Sequence, residues 1–264
     1  MSQHDEMDVV LAAVRAHTRV LKLPTVGREC DAFARQALED GQHPLGFLRV
    51  LLDAETAMRA EHASERRLHA ARLPARKTLS QFDWRRAHGL ERARIEDLAR
   101  CAWISAARNV VLVGPVGTGK THVAIALGIE AIKRGHNVVF FRASDLVRAL
   151  TEARDARILS RLQDKLRRAS LLLLDELGFV PFEKAGGELL FDVLSDRHER
   201  AATIITSNLA FSEWNRVFGD DKLTAALLDR LAQHADVLVT RGPGDRGPLP
   251  AKRKEADEEA PTPT

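Results

Sequence analysis

Between an apolar run, NVVLV (109–113), and a helix-forming stretch, HVAIALGIEAIKR (122–134), the chain carries GPVGTGKTH, residues Gly114 to His122. The spacing is G-x-x-x-x-G-K-[ST], in the order strand, glycine loop, helix that gives this pattern its meaning. Glycines at 114, 117 and 119 let backbone N–H groups turn inward toward phosphate oxygens, and the following helix adds the positive end of its dipole. Pro115, Val116 and Thr118 complete the cradle between the glycines, and His122 follows it. Lys120 is spaced to reach the β- and γ-phosphates, and the Thr121 hydroxyl to ligate Mg²⁺. This is the chemistry of a nucleoside triphosphate site, with ATP and Mg²⁺ as the expected cofactors.

Such a site needs an acid at the end of a neighbouring strand to hold the metal. LLLLDELGFVP (171–181) runs four leucines into Asp175 and Glu176, and Gly178 and Pro181 then turn the chain away. Successive side chains of a strand point to opposite faces, so the two acids are expected to do different work. Asp175 belongs beside the metal, and Glu176 is placed to orient or deprotonate an attacking water. An acid directly after the metal-binding Asp points to transfer onto water, that is hydrolysis, over transfer to another substrate. TIITSN (203–208) gives a second apolar strand a polar end, where Asn208 either hydrogen-bonds the γ-phosphate or serves as an ordinary turn residue. Farther along, LTAALLDRLAQHAD (223–236) reads as a helix carrying Arg230. That arginine either reaches the nucleotide of a neighbouring subunit or is a surface group paired with Asp229.

These residues must be held by a sheet. NVVLVG (109–114), NVVFFRA (137–143), SLLLLDE (170–176), TIITSN (203–208) and DVLVT (236–240) are short and almost continuously apolar, as strands covered on both faces are. The expected fold is therefore α/β, a five-stranded parallel sheet between helices. Upstream, from Val9 to about Arg72, apolar residues recur at three- and four-residue spacing, with Pro24, Gly27, Gly41 and Pro44 dividing the stretch into short helices. The resulting division is a helical N-terminal domain over 1–72, a linker over 73–88, an ATPase core over 89–242 and a disordered tail over 243–264, which is rich in Gly, Pro, Lys and Glu.

Composition bounds the rest. The chain has 264 residues and a net charge of +3, too small to name a partner. Two cysteines, Cys30 and Cys101, lack metal-ligand spacing, and an acidic start without a long apolar run argues against a signal peptide or membrane span; a reduced cytoplasm is the expected setting. Positive charge is concentrated instead in two places. Residues 59–86 hold eight Arg/Lys against three acids, and 148–168 hold seven against three. In the second, Arg154, Arg157, Arg161, Lys165 and Arg168 recur every three or four residues, which predicts one basic helix face able to follow DNA phosphates or simply to be solvated. Within the first, Arg66 to Lys77 is a second candidate contact for DNA or a protein partner, without interleaved aromatics to stack single-stranded bases.

Taken in order, GPVGTGKTH, LLLLDELGFVP, TIITSNLAFSEW and LLDRLAQHAD resemble the IstB-like helper ATPases of bacterial insertion sequences, relatives of DnaC-like helicase loaders in the AAA+ superfamily. The resemblance extends through LLDAETAMRAEHASERRLHAARLP and CAWI to most of residues 45–240. It implies an αβα AAA+ core with a helical N-terminal extension, ATP binding, assembly on duplex DNA as a homo-oligomer, and cooperation with a cognate transposase. By position it makes Gly114 to Thr121 the Walker A loop, Asp175 and Glu176 the Walker B pair, Asn208 the sensor and Arg230 a finger acting in trans. RGPGDRG (241–247) departs from the family's R-G-x-S-Y-R, with Gly244 and Asp245 in place of Ser and Tyr and only Arg246 in register. Two other functions share these residues: a replicative helicase loader, and a DNA-architectural adaptor that binds ATP without hydrolysing it.

Overall fold

Two prolines set the N-terminal helices. In the computed structural model, which describes residues 3–233 and 235–242, α1 (Gln3–Val20) is followed by α2 (Pro24–Glu39) and α3 (Pro44–Ala71). Pro24 and Pro44 each open a helix, where the missing N–H costs nothing. Gly27, expected to punctuate the chain, lies inside α2; a Cβ there would stand 2.5 Å from Thr18 Oγ1, so glycine serves the approach of α1 and α2. Val26, Cys30 and Leu51 form the small core of this unit, with Leu11, Leu23, Phe33 and Phe47 against it.

The start of α2 is capped from α3. Glu55 is 2% exposed, and its Oε2 accepts from the backbone N–H of Thr25 (2.8 Å) and Val26 (3.1 Å). Its Oε1 accepts from Arg59 Nε at 2.7 Å, and Arg59 also donates to the Lys22 carbonyl. Burial alone would raise the Glu55 pKa, but the hydrogen bonds from Arg59, Val26 and Thr25 together outweigh it and hold the carboxyl below its ordinary value. Glu55→Ala strands two buried N–H donors and is expected to lower the stability of the full chain by about 1–3 kcal/mol. Denaturant unfolding measures this. Because the folded pKa is depressed, the stabilisation is present at neutral pH and is lost as pH falls through that depressed value, so the gap between wild type and variant should close below pH 4.5. A gap that persists in acid would separate the stabilisation from the charge.

The chain divides between Ala70 and Ala71 into two compact units. In the second, α4 (Arg92–Leu98) and α5 (Ala102–Ser105) precede β1 (Asn109–Val113), α6 (Lys120–Lys133) and β2 (Val138–Arg142). Then follow α7 (Ala143–Asp155), α8 (Leu159–Arg167), β3 (Leu171–Leu177), α9 (Lys184–Arg197) and β4 (Ala202–Ser207). α10 (Asn215–Phe218), α11 (Asp221–Ala232) and β5 (Ala235–Val239) close the unit. The five strands are parallel in the order β2-β3-β4-β1-β5. Val111, Leu172, Leu174 and Ile205 pack with residues of α7 to α11. Alternation turns Val110, Leu171, Leu173 and Ile204 to the other face, where Gly128 of α6 lies so close to Leu173 that a Cβ would meet its Cδ1 at 2.6 Å. The result is an αβα sandwich with a glycine loop between β1 and α6, preceded in sequence by a helical N-terminal unit.

Three expectations are corrected. The basic face over 154–168 is broken: α7 ends at Asp155, and Arg157 takes φ 58°. The N–H groups of Arg157 and Ile158 close the turn on the carbonyls of Arg154 (2.9 Å) and Ala153 (2.8 Å), an arrangement that terminates helices. Arg154 is thus on α7, paired with Asp155, and Arg157 is in the turn, while Arg161, Lys165 and Arg168 share one face of α8 and its cap. The stretch 73–88 is no free linker. It belongs to the second unit, forms two 3-10 turns, Leu79–Gln81 and Trp84–Arg86, and seats Phe82 edge-on against Trp84 and His122 with ring centroids 4.9 and 5.1 Å apart. The helix expected to reach 236 ends at Ala232, because Ala235 and Asp236 pair with β1 as the start of β5. The tail over 243–264, with Gly244, Asp245 and Arg246, lies outside the described residues.

Candidate nucleotide-binding site

A parallel sheet brings the loops after β1, β3 and β4 to one edge, and a cavity of about 350 Å³ opens there. The glycine loop forms one wall. Gly114 (φ 145°) sits where a Cβ would be 2.2 Å from the Thr240 carbonyl, so the end of β5 is its floor. Thr118 Oγ1 donates to the Pro115 carbonyl (2.9 Å) and is hydrogen-bonded to Thr240 Oγ1 (2.6 Å). Gly117 (φ 82°) has open space where a side chain would be, and Gly119 (φ 91°) caps the N-terminus of α6. Gly117 therefore leaves bare backbone at the cavity, whereas a Cβ on Gly119 would stand 2.6 Å from the Phe82 ring, so glycine there admits that ring against the loop.

Lys120 is buried, and its Nζ donates to the carbonyls of Gly114 (2.6 Å) and Pro115 (2.7 Å). Burial lowers its pKa, with the charge of Asp175 acting in the opposite direction. Thr121 Oγ1 donates to Asp175 Oδ1 at 2.8 Å, so the two expected metal ligands are already together. Both are hard oxygens, the donor type Mg²⁺ takes, and two protein ligands leave the remaining positions to phosphate and water. The residues present therefore fit a Mg–nucleotide.

The two acids differ as their places on the strand require. Asp175 is 3% exposed, and Glu176 is half exposed, with φ 61° where the β3–β4 register shifts between Leu174 and Leu177. A left-handed glutamate inside a strand is a costly conformation, and such outliers persist where the surroundings impose them. Here Thr206 of β4 braces it. Its hydroxyl donates to Asp175 Oδ1 (2.6 Å) and accepts the Glu176 N–H (3.0 Å). Glu176 lines the cavity, and its carboxylate Oε2 is 3.6 Å from Arg142 Nε at the end of β2. Asn208 lines the same cavity from the end of β4.

The structure thus gathers Val116, Gly117, Gly119, Lys120, Thr121, His122, Glu176 and Asn208 around one space, with Asp175 bonded to Thr121 behind it. His122 is partly committed elsewhere, its Nε2 hydrogen-bonded to the Thr78 carbonyl at 2.8 Å. Arg230 is not at this cavity; its Nη1 donates to Ser195 Oγ (2.5 Å) and its guanidinium lies 5.2 Å from the Phe191 ring centroid, both on α9. Sequence reasoning missed Thr206, Lys77 and Phe179, which also line the cavity. The hydroxyl inside TIITSN was the available signal for Thr206; Lys77 lay in the supposed linker.

Among the described residues no helix is long and apolar enough to cross a membrane. Comparison with known proteins gives the same fold and a closer kinship. The fold is similar to that of AMPPCP-bound DnaA from Aquifex aeolicus (TM-score 0.53, 23% identity, 64% of this chain and 51% of that one). DnaI gives a TM-score of 0.53 at 20% identity over 62% of this chain and 91% of that one. By sequence, an insertion sequence IS21 protein of Pseudomonas aeruginosa, named for ATP binding, is 38% identical over 234 residues, 89% of this chain and 88% of its own. Its counterpart in insertion sequence IS5376 of Geobacillus stearothermophilus is 34% identical over 225 residues, 84% of this chain and 88% of its own. The model of the IstB-like ATP binding protein family matches residues 16–250, from the first helix through the glycine loop and the acid pair to beyond the last strand, and the chain belongs to that family.

Proposed function

We propose that this protein is an ATP-hydrolysing helper of transposition, which assembles on duplex DNA when ATP is bound, recruits a transposase encoded by the same element, and is reset by hydrolysis. The observation that carries this reading is the hydrogen-bonded set Thr121–Asp175–Thr206–Glu176 beside the glycine loop, which separates a buried acid bonded to Thr121 from a half-exposed acid lining the cavity. Names of the relatives place them in insertion sequences, which favours transposition over helicase loading.

In this reading the loop N–H groups around Gly117 and Gly119 hold the phosphates, and Lys120 exchanges its two loop carbonyls for β- and γ-phosphate oxygens. Thr121 and Asp175 hold Mg²⁺, which when bound draws charge from the phosphate oxygens. Glu176 accepts a proton from the attacking water, which Asn208 helps to place. Arg230 completes the site of a neighbouring subunit, where an arginine is worth about 10³–10⁵ in rate. Duplex DNA is held through backbone phosphates by Arg161, Lys165 and Arg168 on α8, together with Arg154 and Arg157 before it, and hence with strong salt dependence.

Sedimentation of the full chain with duplex DNA, with and without Mg-ATP and at several salt concentrations, tests the assembly: ATP-dependent oligomers on DNA are expected, and a monomer indifferent to both would overturn it. Arg230→Ala should bind ATP as wild type does yet hydrolyse it poorly. Mixed with Glu176→Gln, it should regain part of the activity, since some interfaces then pair an intact Glu176 with an intact Arg230. No regain at any ratio would place Arg230 outside the neighbour's site.

A further inference from the structure

At the opposite edge of the sheet, where the chain enters the strands, lies a second cleft of about 350 Å³. Four connections meet in it: Ser105 at the end of α5, His136 before β2, Arg167 to Ser170 before β3, and Arg200 with Ala201 before β4. Its lining contains three arginines and no acid. Arg167 is held by Asp196 (2.9 Å) and Asp164 (3.3 Å), whereas Arg168 and Arg200 have no acidic partner among the described residues. The hydroxyls of Ser105 and Ser170 add two short hydrogen-bonding groups to the lining.

The cleft is built on a buried cation. Arg197 is 2% exposed, and its guanidinium donates to the carbonyls of Leu166 (2.6 Å), Ala169 (3.0 Å) and Ala202 (2.6 Å) and to Thr203 Oγ1 (3.2 Å). These bonds lock the loop before β3 to the loop before β4, the two that carry Arg168 and Arg200. Burial pushes the Arg197 pKa down to about 10, so it remains charged at neutral pH. No carboxylate pairs with it among the described residues. Its positive charge, neutralised by no acid, adds to the field in the cleft above it.

We propose that this cleft is a phosphate site that grips the backbone of duplex DNA, with Arg168 and Arg200 as the paired donors and Ser105 and Ser170 completing the grip. The proposal rests on the reading of the protein as a DNA-binding ATPase and extends its basic face beyond Arg168 to Arg200, Ser105 and Ser170, which the helix pattern did not include. Planar guanidinium groups match phosphate oxygens in pairs. The lining offers only Ile104 and two alanines as apolar surface, which suits a sugar-phosphate chain better than a peptide needing pockets for its side chains. Arg168 also ends the α8 face carrying Arg161 and Lys165, so the cleft continues a row of cations.

The test is duplex binding by the full chain with Mg-ATP, followed by fluorescence anisotropy over a salt series. Arg168→Gln with Arg200→Gln should flatten the slope of log K against log salt by roughly 1.8, about 0.9 for each phosphate that is no longer neutralised, and weaken binding about tenfold or more at low salt. Arg168→Lys with Arg200→Lys should keep most of the slope. ATP affinity of the Gln pair should equal that of wild type, because the nucleotide cavity is at the other ends of the strands, and this also shows that the variant is folded. A wild-type slope in the Gln pair overturns the proposal. So does calorimetric binding of inorganic phosphate that the Gln pair loses while its DNA slope stays unchanged. Failure of wild type to bind duplex at any salt would remove the proposed function itself, and the cleft assignment with it.

Discussion

Lys120→Ala is expected to lower the affinity for ATP by about two orders of magnitude or more, since hydrogen bonds from a charged donor contribute about 1.5–3 kcal/mol each and this amine reaches two phosphates. The substitution also acts where no nucleotide is involved. Nζ satisfies the carbonyls of Gly114 and Pro115, and alanine leaves both without that donor, so the loop itself should loosen. Calorimetric titration with ATP reads the first effect, and hydrogen exchange of the loop amides reads the second. Unchanged affinity would remove the phosphate cradle. Loosening without loss of affinity would make Lys120 a purely structural brace.

Glu176→Gln should retain ATP binding and slow hydrolysis by about 10²–10⁴, the usual contribution of a positioned general base. Glutamine matches glutamate in size, and the backbone bond from residue 176 to Thr206 does not depend on the side chain, so the φ of 61° is expected to persist. The ion pair with Arg142 is lost, but at 3.6 Å between half-exposed groups it contributes little to stability. Single-turnover measurement at saturating Mg-ATP isolates the chemical step. Equal rates would point to an adaptor that holds ATP without hydrolysing it.

The glycine loop and the acid pair were legible because phosphate chemistry requires fixed residue types at fixed spacing, and the central strands because burial on both faces leaves a continuous apolar run. What sequence could not show was long-range closure. Arg157 ends a helix in a left-handed conformation without being Gly or Asn, so the basic spacing ran on through a break that carried no local signal. Phe82 and Trp84 sit in a non-periodic stretch whose order comes from the ring of His122 and the face of Gly119, about forty residues away. Thr206 looked like a polar strand end, and only the β3–β4 pairing shows one hydroxyl serving both acids. Arg230 fits either of its two readings in sequence; the structure adds Ser195 and Phe191 as its neighbours within the chain.

The bond between Thr118 and Thr240 sets an order of events on the ribosome. β1 lies between β4 and β5, and the floor beneath Gly114 is made by a residue 122 positions after Thr118. At typical synthesis rates of about 5–20 residues per second, the phosphate loop waits roughly 6–24 s for that floor. The nascent chain holds the complete glycine-loop sequence throughout that interval without the residue that floors it.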